Sequence, residues 1–150
     1  MTKKPIPAHV DALLCGPNPA VLASLRADGT PHLAAIWYGW KDGRILLTFD
    51  QARKRLEFIR RNPAVSVCVL DRADWFRNVV LFGRVVEIFD DENLANVDEL
   101  SHSYMNRPYP DRTRPRVCAW MEIDSWFAWN AYAEVSNLEE GGTSIRTASS

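Results

Sequence analysis

The stretch AVLASLRADGTPHLAAIWYGWKDGRILLTF, residues 20–49, carries three apolar runs divided by ADGTP and KDG. Short runs rich in branched and aromatic residues suit strands, and Asp-Gly between them is the strongest short-range hairpin signal. AVLASLR, HLAAIWYGW and RILLTF thus predict a three-stranded antiparallel meander.

On the N-terminal side, AHVDALLCG predicts a short helix with Val10, Leu13 and Leu14 on one face, closed by Gly16-Pro17 and packed over a barrel mouth. On the C-terminal side, Ala52, Leu56 and Ile59 fall at helical spacing. A helix of about three turns is expected there, with Asp50 as N-cap, Gln51 as first residue and Asn62-Pro63 as its end. AVSVCVL and NVVLFGRVVEIF read as strands joined by DRADWFR, and Gly83 inside the longer run predicts a bulge. Leu94, Val97, Leu100 and Tyr104 predict a further helix, which the proline-rich NRPYPDRTRPR breaks before the last strands, VCAWMEI and SWFAWNAY. The fold class is mainly β with peripheral helices, a small barrel of about six or seven antiparallel strands. One domain spans residues 1–150, with its core over about 9–130 and a polar, flexible tail over 137–150.

A composition of 47% hydrophobic residues with a net charge of -1 gives no whole-surface attraction to nucleic acid or membrane. The acidic run DDEN points the same way, although basic and aromatic residues on small barrels can bind single strands. Cys15, Cys68 and Cys118 lack C-x-x-C spacing, and two lie in strand-like runs, as buried thiols of a reducing cytoplasm would. MTKKPIPAHV has no apolar signal core, and no window approaches the ~20 apolar residues that span a bilayer, so a cytoplasmic protein is expected. His9, His32 and His102 match no metal template, and no cysteine has a histidine close by in sequence to activate it.

The chemistry concentrates in one place. Arg53, Lys54, Arg55, Arg60 and Arg61 crowd around a single acid, Glu57. With a helix starting at Gln51, three of these cations stand in its first turn, where each is disfavoured by roughly 0.3–1 kcal/mol. Glu57 can pair with Arg61 or Arg53, which leaves Lys54 and Arg55 without a partner in the helix. An anion at the helix start would take the free N–H groups and the side chains together, which points to a phosphate anchor; a solvated helix face is the competing reading.

The ordered set LASLRADGTPHLAAIWYGWKDGRILLTFDQARKRLEFIRRNPAVSVCVLDRADWFRNVVLFGRVVEI, followed by VDELSHSYMNRPYPDRTRPR, resembles the split β-barrel flavoproteins of the pyridoxamine 5'-phosphate oxidase superfamily, and most of all their flavin/deazaflavin-dependent oxidoreductase branch. The resemblance implies a split barrel and a homodimer with the cofactor between subunits. It also implies hydride transfer between coenzyme F-420, a deazaflavin, and a small-molecule substrate. FMN is the alternative cofactor, and a non-enzymatic flavin or tetrapyrrole carrier the alternative function. By position, Ala35, Ile36 and Trp37 would line the cofactor ring, Thr48 and Phe49 its linker, and Arg53, Lys54, Arg55 and Arg60 its anionic groups. Trp75, Phe76, Arg77 and Asn78 would reach in from the opposite subunit, and the catalytic proton would come from solvent or from Tyr109, named for its place in the loop. Where relatives commonly have Pro-Val-Trp this chain has Ala35-Ile36-Trp37, and Arg55 stands where many carry lysine.

Overall fold

Asp42 and Gly43 both take positive φ, 53° and 72°, as a two-residue hairpin turn requires, and they join β3 (Gly39–Lys41) to β4 (Arg44–Asp50). The longer ADGTP turn joins β1 (Ala20–Leu25) to β2 (Pro31–Ile36), with Arg26 donating to the Thr30 carbonyl at 3.0 Å. The computed structural model of the chain describes residues 5–129. The other elements are α1 (Ala8–Cys15), α2 (Lys54–Arg61), β5 (Ala64–Leu70), β6 (Asn78–Asp90), α3 (Ala95–Met105) and β7 (Arg116–Trp129), with a 3-10 turn at Glu92–Leu94.

The seven strands form one antiparallel sheet in the order β2-β1-β5-β6-β7-β4-β3. The two hairpins therefore lie at opposite ends of the sheet, and the expected meander is overturned. HLAAIWYGW is broken at Trp37-Tyr38, where Tyr38 turns inward and its hydroxyl donates to the Leu14 and Gly16 carbonyls at 2.9 and 3.1 Å. Only Trp37 and Tyr38 separate the two end strands in sequence, so the ends stand no more than about 11 Å apart and the sheet must curl into a barrel. No ladder joins β2 to β3, so the barrel is split at that edge.

Inward-facing residues alternate along the strands, among them Leu22, Leu47, Phe49, Val67, Leu81 and Met121, and α1 and α2 add Val10, Leu14, Leu56 and Ile59 to the same core. Each such side chain contributes about 1.5–3 kcal/mol on full burial. Gly83 sits at the expected bulge: the register shifts between Phe82 and Gly83, and a Cβ there would stand 1.8 Å from the Glu122 carbonyl oxygen.

Three further elements differ from the sequence expectation. β4 runs through Asp50, whose carboxylate accepts from the Ala52 N–H at 3.0 Å and from Arg114, so it shapes a turn and does not cap the helix. Helix α2 consequently starts at Lys54 with Arg53 as N-cap, Ala52 is exposed, and Leu56 and Ile59 alone form its buried face. VCAWMEI and the described part of SWFAWNAY, through Trp129, merge into the single strand β7, because Asp124 continues the strand and pairs outward with Arg84. α3 begins at Ala95, after two left-handed residues, Asn93 and Leu94, and buried Asp91 caps it from the Asn96 and Val97 N–H groups. The tail over 137–150 lies outside the described residues.

Candidate functional site

At the split edge a connected set of side chains runs from β2 to α2. Trp37 follows the last residue of β2, and its indole lies flat on Tyr104 of α3, with ring centroids 5.3 Å apart and planes 10° apart. The Tyr104 hydroxyl donates to the Asn18 carbonyl at 2.6 Å and accepts from the Tyr38 N–H at 3.4 Å. Burial pushes this phenol up to about 12. Its proton is committed and its acidity is suppressed, so Tyr104 acts as a platform for Trp37.

Tyr109 stands edge-on to the same indole, 6.2 Å away at 89°. Its loop is tied to α3: the Tyr109 N–H donates to Asp98 at 2.9 Å, and Arg112 grips both Asp98 oxygens at 2.6 and 3.1 Å while donating to the Tyr109 carbonyl. The Arg112 bond, and after it the Tyr109 N–H, hold the Asp98 carboxyl below the ordinary carboxylate range.

Arg116, the first residue of β7, links this aromatic wall to β4. Its Nη1 donates to the Tyr109 hydroxyl at 3.3 Å and its Nη2 to the Thr48 hydroxyl at 3.2 Å, with the guanidinium carbon 4.7 Å from the Tyr109 ring centroid. An arginine can only donate, so both hydroxyl oxygens accept and both protons stay free for another acceptor. Arg55, in the first turn of α2, lies over the Phe49 ring at 5.5 Å. Burial first, then the neighbouring Arg53 and Arg116 cations, pull its guanidinium below its ordinary value, from a starting point so high that it stays charged at neutral pH.

The Nε atoms of Arg55 and Arg116 are both buried and have no hydrogen-bond partner, and among the described residues no carboxylate lies within ion-pair distance of Arg53, Arg55 or Arg116. Every polar group converging here is a donor: two guanidiniums, two free hydroxyl protons and the start of a helix. Such a set matches an anion with several oxygens, phosphate above all.

Of the residues named from the sequence, the structure brings together Trp37, Thr48, Arg55 and Tyr109, with Arg53 beside Arg55. Phe49 is fully buried in the core, so its side chain supports Arg55 from below and is not itself accessible to a ligand. Ile36 packs against the core and Ala35 faces outward. Lys54 has a partner after all, Glu57 at 3.6 Å, both of them exposed, and Arg60 is exposed in the last turn of α2. Trp75 and Phe76 stack on one another at 4.5 Å on the β5–β6 turn and are 65% and 55% exposed. In the same turn Arg77 pairs with Asp74, and Asn78 holds the Trp75 and Phe76 carbonyls.

Sequence reasoning missed Arg116 and the platform role of Tyr104. Arg112, Arg114 and Arg116 alternate along one segment, and nothing local tells them apart. In the fold Arg112 meets Asp98 and Arg114 meets Asp50 and Asp111, which leaves Arg116 as the cation without a carboxylate.

The sequence profile described as pyridoxamine 5'-phosphate oxidase matches residues 6–130. Among solved structures, an F420 reductase is similar at 28% identity and a TM-score of 0.71, over 78% of this chain and 94% of that one. A conserved hypothetical protein from Mycobacterium tuberculosis is similar at 22% identity and a TM-score of 0.69, over 88% and 91% of the two chains. General Stress Protein 26 from Bacillus anthracis is similar at 21% identity and a TM-score of 0.61, over 81% and 92%. No curated protein matches the chain.

Proposed function

The chain belongs to the pyridoxamine 5'-phosphate oxidase family, and we propose that it is an oxidoreductase that holds coenzyme F-420, a deazaflavin, at the split edge of its barrel and acts on a small organic substrate. The observation that carries this reading is the pair of half-buried arginines, Arg55 and Arg116, each with an unpartnered buried Nε. Leaving such groups unsatisfied costs about 1–3 kcal/mol apiece, and a phosphate oxygen removes that cost. The similarity to an F420 reductase supports the deazaflavin.

Arg55, Arg116 and the Thr48 hydroxyl would hold the phosphate, Trp37 with the end of β2 would face the ring, and the exposed Arg53, Lys54 and Arg60 would meet further anionic groups. A reduced deazaflavin or flavin bound there supplies a hydride for an electron-poor carbon of the substrate. Tyr109 is the catalytic proton donor: its oxygen accepts from Arg116, so its own proton is free to complete the addition, and water then restores it. Trp37, stacked on Tyr104, would present an apolar wall to the bound ring and keep water from that side of it. FMN is the second reading, favoured by the fact that two half-buried cations are enough for one phosphate monoester.

The active form in this reading is a homodimer. Leu33, Ala23, Ser66 and Phe82 share one row across the outer face of β2, β1, β5 and β6, and Leu33 on that face is 66% exposed. A second copy would cover this face and bring its Trp75-Phe76 turn toward the groove. Sedimentation of Leu33→Glu with Phe82→Glu is expected to give a monomer; an unchanged dimer would reject this seam.

Fluorescence titration of the purified protein with coenzyme F-420 and, separately, FMN tests the cofactor. Selective binding of coenzyme F-420 is the expected result. A preference for FMN moves the protein to the second reading, and binding of neither rejects both.

A further inference from the structure

We infer that Arg116 is a positioning residue that makes the orientation of Tyr109 depend on the bound anion; this rests on the proposed role of Tyr109 as proton donor. Three of the Arg116 N–H positions are accounted for by the geometry. Nη1 is on the Tyr109 hydroxyl, Nη2 is on the Thr48 hydroxyl, and Nε is buried without a partner. A guanidinium is a rigid plane, so an anion accepting from Nε fixes the direction of both Nη donors as well.

Without an anion the plane is held by two hydroxyls at 3.2–3.3 Å and by the Tyr109 ring at 4.7 Å, two of these three contacts being to one loop residue, and it is repelled by Arg55. With an anion, Nη1 is held against the Tyr109 oxygen and the phenolic proton is turned away from Arg116. The backbone of Tyr109 is already tied down by Asp98 and Arg112, so the freedom that remains is that of the side chain. Binding of the anionic group and readiness of the proton donor are thereby coupled through one side chain. Neither Arg112 nor Arg114 can do this, since carboxylates engage both.

Lysine keeps the charge at position 116 but not the fork, so Arg116→Lys separates anion binding from the positioning of Tyr109. The probe is inorganic phosphate, and two signals are followed in the full-length protein labelled with 3-fluorotyrosine. One is the rise in melting temperature on adding phosphate. The other is the fluorine resonance that disappears in Tyr109→Phe. In the unsubstituted protein phosphate is expected to raise the melting temperature and to shift the Tyr109 resonance. In Arg116→Lys it should still raise the melting temperature and leave the resonance where it is, and Arg116→Ala should lose both responses.

A Tyr109 resonance that shifts equally in all three proteins overturns the inference, as does a phosphate response absent from the unsubstituted protein. A positive result in a protein that binds neither coenzyme F-420 nor FMN leaves the coupling standing and rejects the proposed function. Tight cofactor binding with an unmoved Tyr109 resonance does the reverse.

Discussion

Replacing Arg55 by alanine should weaken cofactor binding while leaving the fold as stable as before, and this opposition follows from where the guanidinium sits. It is half-buried, its Nε has no partner, and its charge faces Arg53 and Arg116. In the ligand-free protein its removal relieves burial of a charge and like-charge repulsion, and it forfeits the contact with the Phe49 ring at 5.5 Å, worth roughly 0.5–1 kcal/mol. The two effects oppose one another, so the net change is expected within about 1 kcal/mol, or roughly 2–4 °C in Tm for a chain of this size. Binding has no such compensation. A charge-assisted hydrogen bond to phosphate contributes about 1.5–3 kcal/mol, and its loss raises Kd by about ten- to a hundredfold. The assay is a thermal melt without anions alongside a fluorescence titration with coenzyme F-420. An unchanged Kd, or a fall in Tm several times larger than expected, would refute the reasoning: the first outcome makes Arg55 a solvated helix residue, the second a structural one.

Gly83→Ala places a Cβ 1.8 Å from the Glu122 carbonyl oxygen, so the β6–β7 ladder must part locally and stability should fall by about 1–3 kcal/mol or more; a wild-type midpoint in chemical denaturation contradicts this. Asp98→Asn releases Arg112 and loosens the Tyr109 loop, so kcat should fall while stability changes little, since solvent screens the ion pair. The Asp98 carboxyl is held below its usual range, so the anchor it provides is present above that range and is lost as pH falls through the depressed value. At alkaline pH the sign reverses. Tyr104 and Cys118 are both raised to about 12 by burial, so their neutral forms favour the folded state; stability is full below the ordinary values and declines up to about 12. Tyr104→Phe should flatten part of that decline in melts recorded between pH 9 and 12, and an identical profile would contradict it.

Much of the fold was legible from the chain because it is encoded over short distances. Asp42-Gly43 can hardly be anything but a tight turn between two apolar runs, and Gly83 marks a place where two backbones come too close for a side chain. Leu56 and Ile59 announce the helix that covers the core. The errors have local causes of their own. Asp50 looks like a helix cap until Arg114, far along the chain, takes one of its oxygens and the strand absorbs it. The run HLAAIWYGW looks like one strand until Tyr38 finds the carbonyls that end α1.

Local sequence carried most of the strand-forming runs, the tight turn at Asp42-Gly43, the resemblance to a flavin-binding barrel and the concentration of charge ahead of and within α2, but not where HLAAIWYGW breaks or that the last two runs are one strand. Only the tertiary structure decided which charges are available. Arg112 and Arg114 are engaged by Asp98, Asp50 and Asp111, while Arg55 and Arg116 come near one another without a carboxylate and Arg116 reaches the Thr48 hydroxyl of β4. The reason is physical. A cation becomes a ligand site when no carboxylate reaches it and water is kept away, and for Arg112, Arg114 and Arg116 the difference is made by Asp98 and Asp50, which the fold brings from 14 and 64 residues away to the first two and not to the third.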